Sequence, residues 1–211
     1  WNLAEEFVNM YIGHGGEFFK AGGAQPNINN AKGVATLKML KELADLSNPD
    51  YLTHDSEAIK VEWEAGNVAI MTLWASRSGT LLDDEGDAKI TAATKLVAPA
   101  TVGGGNIPAA TLWWDGFTLA KNRSDADAEA SFRAMAHAAS SKEMVAKAAD
   151  QAVWLVEGFV PGPKSVGVIE AVKMGAKPYP MLPQMGLMHG ALGSEIAVSY
   201  THLRAHETSL H

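Results

Sequence analysis

The sequence predicts an α/β fold, and three observations carry that expectation. Apolar residues recur at helical spacing in several segments, apolar runs of strand length lie between them, and glycine and proline clusters separate the two kinds. Strands alternating with helices argue for layers of helix on sheet. The chain has 211 residues, 47% apolar and 19% charged, a composition of globular domains. That length suits one large domain or two small lobes.

From Leu3 to Ile12, the apolar residues Leu3, Phe7, Met10 and Tyr11 form a helical face that stops at Gly13 and the pair Gly15-Gly16. Asn27 to Asn30 offer caps for the next helix, where Val34, Leu37, Leu40, Leu43 and Ala44 form an apolar stripe facing a core. Asp55 or Ser56 caps a short helix with Ile59 and Trp63 one turn apart. Gly66 ends it, and Val68 to Trp74 reads as a buried strand that delivers Trp74 to its end. Ser76 to Leu82 is expected to be helical. Ile90 to Leu96 is a second strand before Pro99 and the run Gly103 to Gly105, the best boundary between lobes.

Trp113 to Ala120 then reads as a strand, followed by a helix capped within Asn122 to Asp125 with Phe132, Met135, Ala136 and Ala139 on one face. Ser140 to Glu143 open another, through Ala149. Both are expected to lie on a sheet. Pro161-Gly-Pro163 breaks the chain, and Val166 to Met174 is expected to be helical. Pro178 to Pro183 is extended, because each proline biases its predecessor away from helix. A final helix starts at Met185.

A formal charge of −7 opposes nucleic-acid binding, which needs a concentrated Lys/Arg surface. Cysteine is absent, which removes disulfides, thiolate catalysis and zinc-thiolate sites. No apolar run approaches the roughly 20 residues of a membrane span. Phosphate loops, the Gly-x-Ser-x-Gly elbow and His-Glu-x-x-His do not occur, so no catalytic residue, cofactor or metal is expected. Asp83-Asp84-Glu85 reads as a charged loop rather than a hydrolytic pair, because neighbouring residues mostly point apart. His14, His54 and His137 read as surface or core.

The aromatic residues are more informative. A sugar ring has a weakly apolar C–H face and a rim of hydroxyls. Proteins bind it with an aromatic face against the ring and carboxylate, amide or guanidinium groups at the rim. Among six tryptophans, Trp113 and Trp114 are adjacent; in a strand one would enter a core while the other faces a cleft. Trp74, Trp114, Asp115 and Arg77 are the residue types such a site needs. The competing reading is that these tryptophans are core.

Four segments in order resemble the extracellular solute-binding proteins of the maltose-binding type. They are His14-Gly-Gly-Glu-Phe-Phe19 with the helix containing Gly33 to Leu40; Glu64-Ala-Gly-Asn-Val-Ala-Ile-Met71 ending at Trp74; Trp114 to Asn122 with its Ala-rich helix; and Leu182-Pro-Gln-Met185. The resemblance spans residues 1–197. It implies a two-lobed type II periplasmic-binding-protein fold, present as roughly the C-terminal half, with the bulk of the first lobe and any signal peptide upstream. Residues 1–101 would be the major part of the second lobe, 102–159 a return segment of the first, and 160–197 the last part of the second.

The resemblance implies a binding protein without catalysis, a monomer in the periplasm or outside the cell. It would hand a sugar to the membrane subunits of an ABC importer. Its ligand residues would be Trp74 first, then Trp114 and Asp115, with Trp113, Arg77, Trp154 and His189 behind them; His189 falls where the last cleft helix often presents an aromatic. Lacking most of one jaw, the chain is expected to bind sugar very weakly or not at all. The alternative is a glycoside hydrolase with a Trp-lined cleft, which needs a second carboxylate opposite Asp115.

Residues 198–211 form a separate expectation. Val198 to Thr208 resembles the in-frame translation of a sequencing-library adapter, and this tail is expected not to be native. His202 and His206 have helical metal-site spacing, with His211 beyond, but a metal site there is the weaker reading.

Overall fold

The computed structural model describes residues 2–83, 86–149 and 153–207, with side chains described as far as Val198. Asp84, Glu85 and the side chains of the tail histidines lie outside the described residues. In chain order the elements are α1 (Asn2–Gly13), α2 (Ala31–Leu46), α3 (Ser56–Glu64), α4 (Ala75–Ser78), α5 (Ala88–Ala93), β1 (Thr111–Leu112), α6 (Asp125–Ser140), α7 (Lys142–Lys147), α8 (Val166–Lys173), β2 (Lys177–Pro178) and α9 (Met185–Glu207). The fold is mixed α/β and mostly helical, 53% helix against 4% strand. Helix α9 runs on through the backbone of the tail to Glu207.

Two compact units divide the chain. The first holds residues 1–55, 99–113 and 171–211; the second holds 56–98 and 114–170. In the first, α1 is buried nearly all round, through Ala4, Phe7, Val8, Met10, Tyr11 and Ile12. So much apolar surface must be enclosed, and α1 packs between α2 and α9. From α9, Met185, Met188, Leu192 and Ile196 face it at helical spacing. Full burial of one such side chain stabilises by roughly 1.5–3 kcal/mol.

Helix α1 ends where Gly16 N–H bonds to the Tyr11 carbonyl and Gly15 N–H to that of Ile12, both 2.8 Å. Gly15 sits at φ +71°, a left-handed conformation that closes a helix at little cost only with glycine. Asn30 caps α2, its side chain accepting from Lys32 and Gly33 N–H, and its amide donates to the Tyr11 hydroxyl at 2.8 Å. Strands β1 and β2 pair in parallel, Thr111 opposite Lys177 and Leu112 opposite Pro178.

The second unit is held by smaller contacts. Trp63 Nε1 donates to Thr94 Oγ1 at 2.9 Å, joining α3 to the end of α5. Lys164 Nζ bonds to Asp83 Oδ1 at 2.6 Å. Helix α6 has no buried residue among those described, and its Phe132 is 59% exposed.

Three expected strands are corrected. Val68 to Trp74 has no ladder, and Ile70 is 90% exposed. Ile90 to Leu96 begins inside α5, where the Asp87 side chain accepts from Lys89 N–H and starts a helix instead. Trp113 to Ala120 is irregular, with Phe117 62% exposed. An apolar run becomes a strand only when another backbone edge takes up its N–H and C=O groups, and β1 with β2 is the sheet found among the described residues. Helices α6 and α7 therefore have no sheet beneath them there. The α2 stripe is also displaced: Gly33, Thr36 and Leu40 are buried, while Val34, Leu37 and Leu43 are largely exposed.

Candidate functional site

The seven sequence-predicted residues divide between the units: Trp113 and His189 lie in the first, and Trp74, Arg77, Trp114, Asp115 and Trp154 in the second. In the first unit, both meet Tyr179. The Trp113 ring lies against the Tyr179 ring with centroids 4.1 Å apart, and His189 Nδ1 is 3.0 Å from the Tyr179 hydroxyl. His189 is 1% exposed, so its ring belongs to the core and presents no open face.

A polar group continues from this pair. Trp113 Nε1 donates to Thr111 Oγ1 at 2.9 Å. The Thr111 hydroxyl lies within hydrogen-bond reach of Glu5 Oε1 and, at 2.9 Å, of Asn9 Oδ1; with one proton it serves one of them at a time. Glu5 Oε2 is buried without a hydrogen bond, 4.0 Å from His189 Nδ1. Burial, and then the charge of Glu5, pushes the Tyr179 phenol up to about 12, so it stays neutral. The half-buried Glu6 is pushed by the same two causes from 4.5 up to about 7. This cluster fixes Trp113 from behind while 38% of its surface stays open.

In the second unit, Trp74 caps α4 rather than ending a strand. Its carbonyl accepts from Arg77 and Ser78 N–H, both at 2.8 Å, and its ring is half-buried. Arg77 Nη1 bonds to Glu57 Oε1. Trp154 Nε1 donates to the Ala148 carbonyl at 2.8 Å, which fixes a half-buried ring. Trp114 is 54% exposed, and Asp115 and Gly116 beside it are exposed too.

Two hollows accompany these residues. One of about 860 Å³ in the first unit is walled by Phe18, Phe19, Pro180 and Leu182 with Lys20 and Lys177, and none of the predicted residues lines it. The other, about 280 Å³, lies in the second unit and takes Ser56, Glu57, Lys60, Ser76, Arg77 and Thr80. Of its lining the sequence pointed to Arg77 alone; Lys60 and the three hydroxyls carry no motif. Glu5 was missed as well, although an acidic residue inside the apolar face of Ala4, Phe7 and Val8 is a readable sign of a buried polar contact.

Comparison with protein-family models, curated proteins and solved structures finds no match for this chain. No group of three metal-ligating side chains occurs among the described residues, and no described helix is long and apolar enough to cross a membrane.

Proposed function

We propose that this chain is part of the substrate-binding component of an ABC importer, with a type II two-lobed fold, that captures a carbohydrate between its lobes and delivers it to the membrane permease. It works outside the cytoplasmic membrane as a monomer and makes or breaks no bond. A ligand shifts the lobes toward a closed form only by as much as it prefers that form, so recognition must come from both.

The observation that carries this reading is the pair Trp114 and Asp115: a large indole left mostly open beside an exposed carboxylate and a glycine. Burying such a ring against an apolar partner is favourable, and the carboxylate accepts from sugar hydroxyls at the rim. The order of the four segments adds support. So does the division of the chain into two units, each discontinuous in sequence.

Saturation-transfer NMR detects millimolar binding and tests the reading on the chain itself. Neutral mono- and oligosaccharides are expected to bind weakly, with the signal lost in Trp114→Ala and reduced in Asp115→Asn. A sugar signal that persists unchanged in Trp114→Ala would overturn this site, and release of reducing ends from oligosaccharides would overturn the reading in favour of hydrolysis.

A further inference from the structure

The larger hollow, about 860 Å³ in the first unit, has no part in the carbohydrate reading. Its walls are mostly apolar, with Ile12, Phe19, Ile107, Pro178, Pro180 and Leu182 among them. Two lysines, Lys20 and Lys177, line it against a single carboxylate, Glu17. Among the described residues neither lysine is ion-paired and neither ammonium donates a hydrogen bond, whereas nearby Lys32 is taken by the Gly15 carbonyl. We infer that this hollow binds an amphipathic monocarboxylate, its acyl chain along the apolar walls and its carboxylate drawn to Lys20 and Lys177. The site goes beyond the carbohydrate reading and does not depend on it.

The walls are built before a ligand arrives. Residues 18–27 fold back on themselves, bridged from Phe19 to Pro26, with Lys20 N–H bonded to the Gln25 carbonyl at 2.9 Å and Asn27 N–H to that of Phe18 at 2.8 Å. The Asn27 side chain donates to the Glu17 carbonyl at 3.2 Å and ties the base of this turn. In the later segment, Lys177 pairs with Thr111 in the ladder of β1 and β2, and Tyr179 N–H bonds to the Leu112 carbonyl at 3.1 Å. Pro178 and Pro180 fix the backbone there further. A hollow held in this way loses little conformational freedom when it is filled.

The lining selects against a sugar. No tryptophan, serine or threonine belongs to it, and Phe18 is 4% exposed, which leaves the half-buried Phe19 as its aromatic face. A sugar would turn its hydroxyls toward walls that return few hydrogen bonds, and a polar group buried without a partner is costly. A methylene chain has no such need, and its burial is favourable in proportion to the area covered. Leu182, 45% exposed, offers such area. A terminal carboxylate then gives the two lysines the counter-charge they lack, in charge-assisted hydrogen bonds that a neutral chain end cannot form. The volume lies within the roughly 300–1,000 Å³ of pockets that take a whole small ligand.

Amide spectra of the intact labelled chain, titrated separately with butyrate, hexanoate, octanoate, 1-octanol and glucose, test the proposal. Octanoate is expected to move the amides of Phe19, Lys20, Lys177 and Leu182. Its affinity should exceed that of hexanoate by about tenfold, since each buried methylene is worth roughly fourfold. It should bind about threefold or more tightly than 1-octanol, a modest margin because both lysines are exposed. Lys20→Met and Lys177→Met combined should erase that margin while octanol still binds, and Leu182→Glu should weaken octanoate more than octanol. Trp114→Ala should leave these responses unchanged, so this site and the carbohydrate reading stand or fall separately. Affinity that does not grow with chain length, octanol that binds as tightly as octanoate, or octanoate that leaves these amides unmoved overturns the proposal. So does glucose that moves them in place of octanoate.

Discussion

The Tyr179 hydroxyl and His189 Nδ1 meet at 3.0 Å in a space closed to solvent, with Tyr179 7% and His189 1% exposed. A hydrogen bond between two enclosed side chains is more costly to break than to omit, because the survivor keeps its desolvation penalty. His189→Ala should therefore lower stability in urea unfolding by about 2–4 kcal/mol, from the cavity and the stranded hydroxyl together. Tyr179→Phe should cost about 1 kcal/mol.

The adjacent tryptophans should behave oppositely. Trp113 lies on Tyr179 and bonds to Thr111, so Trp113→Ala should cost about 2–4 kcal/mol and lower the melting temperature by several degrees. Trp114 is 54% exposed, and Trp114→Ala should shift stability by less than about 1 kcal/mol while abolishing the sugar signal. Thermal melts set beside the saturation-transfer experiment separate the two.

Glu6 makes stability depend on pH. Its folded carboxyl titrates near 7, above the ordinary 4.5, so between those values the folded chain holds a proton that the unfolded chain has released. The contribution is complete below pH 4.5 and fades as pH rises through 7, with a slope of at most about 1.4 kcal/mol per pH unit. Glu6→Gln should flatten the stability profile across that window relative to the unaltered chain.

Gly33 sets helix propensity against sterics. Alanine is a better helix former by about 1 kcal/mol, yet a Cβ at Gly33 would stand 2.0 Å from the Ile28 carbonyl oxygen, a backbone atom that cannot swing aside. Gly33→Ala should therefore destabilise, by about 2 kcal/mol or more, and Asn30→Ala by about 1 kcal/mol through loss of the α2 cap. Circular dichroism melts of both variants measure the order.

Helix α1 and the start of α2 could be read from sequence, because their signals are local: a glycine stop after Ile12 and a side-chain cap at Asn30. Val68 to Trp74 could not, since its conformation depends on whether another edge pairs with it, and spacing within the run carries no such information. The α2 stripe pointed to Val34 and Leu37, yet a neighbour selects the buried face, and the small residues Gly33 and Thr36 admit the closest approach. At the candidate site, tryptophans announce themselves by type, whereas Lys60 and Ser56 reach the same hollow as Ser76 and Arg77 only where the Arg77–Glu57 bond ties α4 to α3. The hydrogen bond between Tyr179 and His189 joins residues ten apart that sit in different local structures, which no periodicity reveals.

Helix α1 lies against the last helix, with Ala4 beside Gly193. On a ribosome, the early helix emerges long before its cover is made. Until Met185 to Ile196 have left the exit tunnel, Phe7, Val8 and Tyr11 lack the surface that encloses them, and the nascent chain carries an apolar helix into a crowded solution. A variant that weakens the apolar face of α9 leaves α1 uncovered for longer, and its cost should fall on the yield of folded protein as well as on final stability.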